Sequence, residues 1–236
     1  MSDTPVKTFL WTAGFLAAAF ILCGACHVIK GKAPQEAPSS LSLKRVVVSG
    51  FHPSIPSDGK ADFVRSPLTG AVFMAEPVSQ ELARDLTNRL FKKLVERGDY
   101  DLVAPDKAST VYSKLLSSEA VLTDAEIFKR MGRVFSADAV LTGYLYRWRE
   151  REGTDYAVSR AASVAFDLCL ISTLDGAVLW KDRFEKTQKS LSENLFDFKM
   201  FLKSKARWMR AQELAAVGLA ELVESLPAGT GREKGS

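Results

Sequence analysis

Residues 163–173 (SVAFDLCLIST) alternate between apolar and small or polar side chains, and the pair Asp175-Gly176 follows at once, ahead of AVLWKDRF. Strict alternation is the period of a pleated strand, and Asp-Gly supplies the positive φ that a tight hairpin requires. This predicts a long antiparallel hairpin with Val164, Phe166, Leu168 and Leu170 on its inward face. By the same alternation Asp167 and Cys169 share the other face, which reads as solvated at Asp167 and half-buried at Cys169. A further extended run, ADAVLTGYLYRW at residues 137–148, precedes the hairpin, and in it Val140, Thr142, Tyr144, Tyr146 and Trp148 fall on one side. Such aromatic strand positions are read as core, with a binding ledge of Tyr144, Tyr146 and Trp148 as the alternative. Strands that follow one another in this way pair antiparallel, and an apolar face of that length has to be covered by helices.

The helices are legible by their four-residue repeat and their punctuation. Leu82, Leu86, Leu90 and Leu94 form a stripe within residues 77–97, with Pro77 at the expected start and Gly98 at the stop. A short strand is predicted at residues 100–103, then a helix capped by Asp106. Thr123-Asp-Ala-Glu126 has the form of a capping box opening a helix through Phe135. Residues 211–226 carry Leu214, Leu219, Leu222, Val223 and Leu226 at helical spacing. Upstream, LKRVVVSGF (residues 43–51) reads as a buried strand closed by His52-Pro53, and residues 52–77 as a long loop of the kind that either binds something or wanders. The sum is an α/β (α+β) domain, one mixed β-sheet covered by helices, over residues 44–228, with a disordered tail at 229–236.

Several of these runs together resemble a known superfamily. VVVSGF, a leucine-rich helix ending at Gly98 before a short strand and Pro105, the run Ser136-Ala-Asp-Ala-Val-Leu-Thr-Gly143, and the strand pair around Leu174-Asp-Gly-Ala-Val-Leu-Trp180 are similar to the superfamily of the curli secretion lipoprotein CsgG, the TolB N-terminal domain and the penicillin-binding-protein activator LpoB. The resemblance covers most of residues 44–184. It implies a CsgG/TolB-N-like fold, a binding or regulatory role in the cell envelope and no catalytic residues.

No charged residue lies between Lys7 and Lys30, and residues 9–25 (FLWTAGFLAAAFILCGA) are apolar or small almost throughout. This is an export signal or a single membrane anchor. Cys23-Gly-Ala-Cys-His27 has the spacing of a haem c attachment motif, yet it begins inside the apolar run and is followed by a linker, whereas a haem c needs a folded segment with a pocket to bury the macrocycle. The same residues resemble the lipobox of bacterial lipoproteins: small Gly24 and Ala25 precede Cys26, whose thiol would be diacylated. The resemblance implies a signal peptide over residues 1–25 and lipidated Cys26 at the head of a tether reaching residue 43. It also implies attachment through the lipid to a membrane, with His27 in place of a retention Asp favouring the outer membrane facing the periplasm; the inner membrane and an uncleaved anchor stay open. The Pro-, Ser- and Lys-containing composition of residues 28–43 is that of a tether.

Composition narrows the chemistry further. The 32 basic and 28 acidic residues are spread along the chain, so no phosphate-binding block is present and nucleic acid is not an expected partner. Three cysteines, two of them in the N-terminal motif, exclude a disulfide scaffold. The chain has two histidines, His27 and His52, and neither a G-x-S-x-G turn nor a Gly-rich phosphate loop, so no catalytic residue, metal ligand or cofactor is assigned. Asp138, between a helix end and a strand, reads as a turn or cap residue. A hydrolase triad would have to use His52.

Residues 195–210 (LFDFKMFLKSKARWMR) mix aromatic and basic side chains. Lys203, Lys205, Arg207 and Trp208 are therefore the candidate partner-binding residues, opposed by a reading in which this segment packs on the core. The leading expectation is a non-enzymatic lipoprotein that binds an unidentified envelope protein. The alternatives are a CsgG-like oligomeric secretion pore, for which one alternating stretch at residues 196–203 is too little, and a membrane-anchored enzyme. Self-association into a homo-oligomer is left open.

Overall fold

The computed structural model describes residues 43–56, 58–117, 122–153, 158–188 and 208–230. Its centre is a five-stranded sheet. In chain order the sheet strands are β1 (Arg45–Pro53), β4 (Asp101–Val103), β5 (Ala139–Arg149), β8 (Ser163–Ser172) and β9 (Val178–Thr187), arranged β4-β1-β5-β8-β9. β1 runs parallel to both β4 and β5, whereas β8 runs antiparallel to its two neighbours, β5 and β9. The sheet is therefore mixed.

Helix α1 (Gln80–Arg97) and the C-terminal helix α4 (Ala211–Ser225) pack on one face, where Leu86, Leu90 and Leu94 meet Val46, Val48, Leu141, Phe166, Leu168 and Leu219. Helices α2 (Pro105–Leu116) and α3 (Asp124–Val134) cover the other face around Val47, Val140, Cys169 and Ile171. Next to them a small hairpin, β2 (Asp62–Arg65) and β3 (Val72–Ala75), lays Phe73 and Ala75 over Tyr144, Tyr146 and Ala165. A second small hairpin joins β6 (Glu152–Gly153) and β7 (Val158–Arg160).

Several expectations change once the elements are seen together. The loop expected over residues 52–77 contains the β2–β3 hairpin, and its apolar island is β3. Pro77 does not start α1; Ser79 caps it, accepting from the Leu82 amide. Leu82 is only half-buried, because a four-residue step overshoots a helical turn by about 40° and carries the first leucine to the rim of the stripe. Asp106 is not the cap of α2: Ala104 takes that position and Pro105 opens the helix, where a missing N–H costs nothing. Thr123 does cap α3, accepting from the Glu126 amide at 3.3 Å, while the Glu126 carboxylate turns to Lys129 and Arg130.

Trp148 does not share the face of Tyr144 and Tyr146. The β5–β8 register slips between Leu145 and Arg147, and this bulge reverses the alternation, sending Trp148 to the α1/α4 side. Asp167 is fully buried, not solvated, since β8 is an inner strand covered on both faces. Cys169 is buried beside it, where desolvation pushes the thiol pKa up and leaves it inert. Asp138 has the turn role read from sequence: its Oδ2 accepts from the amides of Lys44 and Arg45 at 2.9 and 2.8 Å, pinning the start of β1. At the other end of the chain Arg97 donates to the carbonyls of Val223, Leu226 and Pro227, a cation closing the C-terminus of α4. Beyond it the Gly229 amide donates to Asp99 and the Thr230 amide to the Leu43 carbonyl.

Candidate functional site

The topology itself marks one place on the sheet. From β1 the chain passes to β4 on one side by way of α1, then returns across β1 to β5 by way of α2 and α3 on the opposite face. β1 is thus the switch point, and the crevice at the carboxyl end of such a strand is left uncovered by either crossover. A cleft of about 700 Å³ lies there. Its floor is Ser49, His52, Pro53 and Tyr144; α1 supplies Gln80, Arg84 and Asn88, α2 supplies Asp106 and Tyr112, and α3 supplies Asp124.

The floor is shaped by one irregularity. In an unbroken strand residues 49 and 52 would point to opposite faces. The β1–β5 register slips between Val48 and Gly50, and Gly50 adopts a φ of 80°. The extra residue reverses the alternation, so Ser49 Oγ lies 3.2 Å from His52 Nε2. Thr87 and Thr142 hold the bulge: the Phe51 amide donates to Thr87 Oγ1 at 2.8 Å and Thr142 Oγ1 donates to the Gly50 carbonyl at 3.3 Å. A Cβ at Gly50 would stand 2.2 Å from the Thr87 methyl, so only glycine fits.

His52 lies among rings, with centroids 4.5 Å from Tyr112, 5.6 Å from Phe128 and 5.8 Å from Tyr144. Desolvation by these neighbours lowers its pKa to about 4, against the pull of the nearby Asp124 charge, so the imidazole is neutral at pH 7. Asp124 accepts a hydrogen bond from the Tyr144 hydroxyl. Burial, then that bond and the Asp124 charge, raise the Tyr144 pKa; burial and Asp124 raise that of Tyr112. Both phenols stay protonated.

A serine within reach of a histidine invites comparison with a nucleophile and its base. The wiring is different here. The carboxylate that would orient the imidazole is bonded to Tyr144 instead, and a histidine with a pKa near 4 gives little driving force for removing a serine proton at neutral pH. Among the described residues no cluster of His, Cys, Asp and Glu is arranged to hold a metal ion. Neutral rings, hydroxyls, amides, two carboxylates and one guanidinium make the cleft suited to binding.

Of the residues singled out from sequence, His52 is on the cleft floor, and the lipidation and partner-binding candidates are not among the cleft lining. Cys26, Lys203, Lys205 and Arg207 fall outside the described residues. Trp208 is half-buried just ahead of α4, next to buried Met209, whose amide donates to Gln188 Oε1 at 2.8 Å. The sequence flags His52 and Tyr144 singly but does not bring them together as a site. Gly50 inside a Val-rich strand is a further local signal, because an interior strand glycine often marks a bulge.

No protein-family model matches the chain, and comparison with curated proteins gives no match. Among solved structures, the PelC dodecamer from Paraburkholderia phytofirmans shares 14% identity over 81% of this chain and 95% of that one, with a TM-score of 0.44. The LpoB C-terminal domain from Salmonella enterica shares 16% over 65% of this chain and 89% of that one, at a TM-score of 0.37. Lipoprotein GNA1162 from Neisseria meningitidis shares 14% over 68% and 94%, at 0.39. None of the three is close enough to lend a residue role to this chain.

Proposed function

We propose that the chain is a lipoprotein of the bacterial cell envelope, acylated at Cys26 and anchored to the outer membrane on its periplasmic side, whose α/β domain is a non-enzymatic binding module that assembles or regulates other envelope proteins. The observation that carries the reading is an order of segments: an uncharged run at residues 9–25, Gly24 and Ala25 directly before Cys26, a Pro- and Ser-containing tether, then a folded domain. The cleft supports it from the side of chemistry, since its one serine–histidine pair lacks an orienting carboxylate and its histidine is a weak base. Lys203, Lys205, Arg207 and Trp208 remain the proposed docking residues for the protein partner.

Mass spectrometry of the chain purified from envelopes tests the anchor. A diacylated N-terminal Cys26 is expected, and Cys26→Ser should leave the protein unacylated. Covalent haem, detected as a pyridine haemochrome, would overturn the reading. Crosslinking in intact envelopes tests the module: charge reversal at Lys203, Lys205 and Arg207 should reduce capture of the partner while the melt of the domain is unchanged. Detergent-dependent rings with channel conductance would replace the binding module with a pore.

A further inference from the structure

The charges around the cleft are unevenly placed. Two carboxylates, Asp106 and Asp124, and one guanidinium, Arg84, line it, and none of the three forms an ion pair among the described residues. Arg84 is exposed on the α1 wall. Asp124 is half-buried at the floor, and its charge is felt by His52, Tyr112 and Tyr144. Two carboxylates against one exposed guanidinium leave the lining with an excess of negative charge. An anion finds no compensation at the two helix starts that open on the cleft, because Asp106 already occupies the first turn of α2 and Asp124 that of α3.

The rings complete the chemistry. His52 and Tyr112 lie 4.5 Å apart at 35°, Tyr112 lies 5.7 Å from Phe128 at 12°, and Tyr144 presents its hydroxyl to the carboxylate. An aromatic residue and a carboxylate without an ion pair lining the same cleft attract a cation in two ways, through the ring quadrupole and through direct charge. The imidazole, being neutral, does not compete for that carboxylate. Gln80 and Asn88 on α1, whose side chains make no hydrogen bond within the described residues, are free to bind the polar remainder of a ligand.

We propose that this cleft binds a small organic amine, its ammonium group held by the Asp124 carboxylate beside the Tyr112 ring. Anchoring at Cys26 is not part of the proposal, and a Cys26→Ser chain binds the amine equally well, so failure here and failure of the lipoprotein reading are separate results.

The test is isothermal titration of the full-length chain in a non-ionic detergent with three probes of equal size: n-butylammonium chloride, n-butanol and sodium butyrate. The amine is expected to bind, and the alcohol and the carboxylate to bind at least about tenfold more weakly. Asp124→Asn should weaken the amine by about tenfold or more. Tyr112→Leu should weaken it by roughly threefold or more, as loss of a cation–ring contact does. Glu81→Gln, a change of the same charge on the first turn of α1 outside the cleft lining, should leave binding unaltered. If Asp124→Asn fails to fold, Tyr112→Leu and the probe series decide the matter. The proposal is overturned if no probe binds, if butyrate or butanol binds as tightly as the amine, or if a folded Asp124→Asn or Tyr112→Leu chain binds the amine as the wild type does.

Discussion

Under α1 and α4 the sheet buries leucine, valine and phenylalanine almost without interruption; under α2, α3 and the β2–β3 hairpin it buries Thr142, Tyr144, Tyr146, Asp167 and Cys169. The same strands supply both faces, so the contrast comes from alternate positions along β5 and β8. On the second face Asp167 accepts from Ser66 Oγ at 2.6 Å, Thr69 Oγ1 at 3.1 Å, Tyr146 OH at 3.1 Å and the Tyr144 amide at 3.0 Å. Gly143 lies behind this network, where a Cβ would stand 2.1 Å from the Asp167 carbonyl oxygen. An apolar face gains stability in proportion to what it hides from water, and many packings satisfy it. A buried polar face is stable only when each group meets its partner, so it fixes one arrangement. The cleft opens on the polar face, where a specific arrangement is useful.

The largest effect is expected on the apolar face. Leu90 has no exposed surface and lies at the centre of the α1 stripe, so Leu90→Ala should cost about 2–5 kcal/mol in urea denaturation. The loss should be insensitive to pH, since no titrating group belongs to that cluster except Tyr100, which titrates far above neutrality. A loss well below 1 kcal/mol would mean that this face is not the principal store of stability.

The polar face should instead reveal itself by pH. The folded-state pKa of His52, about 4, lies below its ordinary 6.5, so the folded protein disfavours the proton. This stability is fully present above pH 6.5 and is lost as pH falls toward 4, amounting to about 3 kcal/mol at roughly 1.4 kcal/mol per pKa unit. Comparing urea denaturation of the wild type and His52→Gln across that range isolates it: the wild type should lose stability on acidification relative to the variant. Parallel profiles would place His52 in water.

Gly50→Ala should cost about 1–3 kcal/mol, from the left-handed backbone and the collision with Thr87. It should also disturb the cleft, because the bulge alone brings Ser49 and His52 to one side. Histidine NMR titration should show the His52 pKa rising toward its ordinary value. A destabilised variant with an unchanged His52 pKa would separate the bulge from the cleft.

These differences also explain what the sequence could reveal. The apolar face is legible because hydrophobic spacing records burial directly: Leu86, Leu90, Leu94, Phe166, Leu168 and Leu219 all lie where their periods put them. The hairpin turn at Asp175-Gly176 and the cap at Thr123 are legible because local chemistry determines them. Asp167 misleads, since a charged residue opposite an apolar stripe suggests solvent unless one knows that Ser66 and Thr69 come to it from about a hundred residues away. Trp148 is displaced by a one-residue bulge, and the pairing of Ser49 with His52 is hidden for the same reason. A period-two reading fails wherever a strand gains a residue. The two bulges at Ser49 and Tyr146 lie on strands that bound the cleft.

The smallest expected effect probes the polar network from within. Tyr146→Phe removes one hydroxyl from Asp167 while keeping the ring, which stacks on Phe73 at 4.0 Å and 8°. Ser66, Thr69 and the Tyr144 amide continue to donate, so the loss should be about 1 kcal/mol, that of a single hydrogen bond. Its pH dependence carries the information. Burial raises the Asp167 pKa, while these donors favour the carboxylate and pull it down. A carboxyl with a raised folded pKa contributes stability below its unfolded value and loses it as pH rises through the folded one. Deleting a donor raises the folded pKa further. The gap between Tyr146→Phe and wild type should therefore be small in acid and widen as pH rises through the Asp167 transition. Urea denaturation in acid and above the Asp167 transition measures both ends. A gap that is equal at the two, or larger in acid, would mean that the hydroxyl favours the protonated acid, and that the polar face is organised around a neutral group.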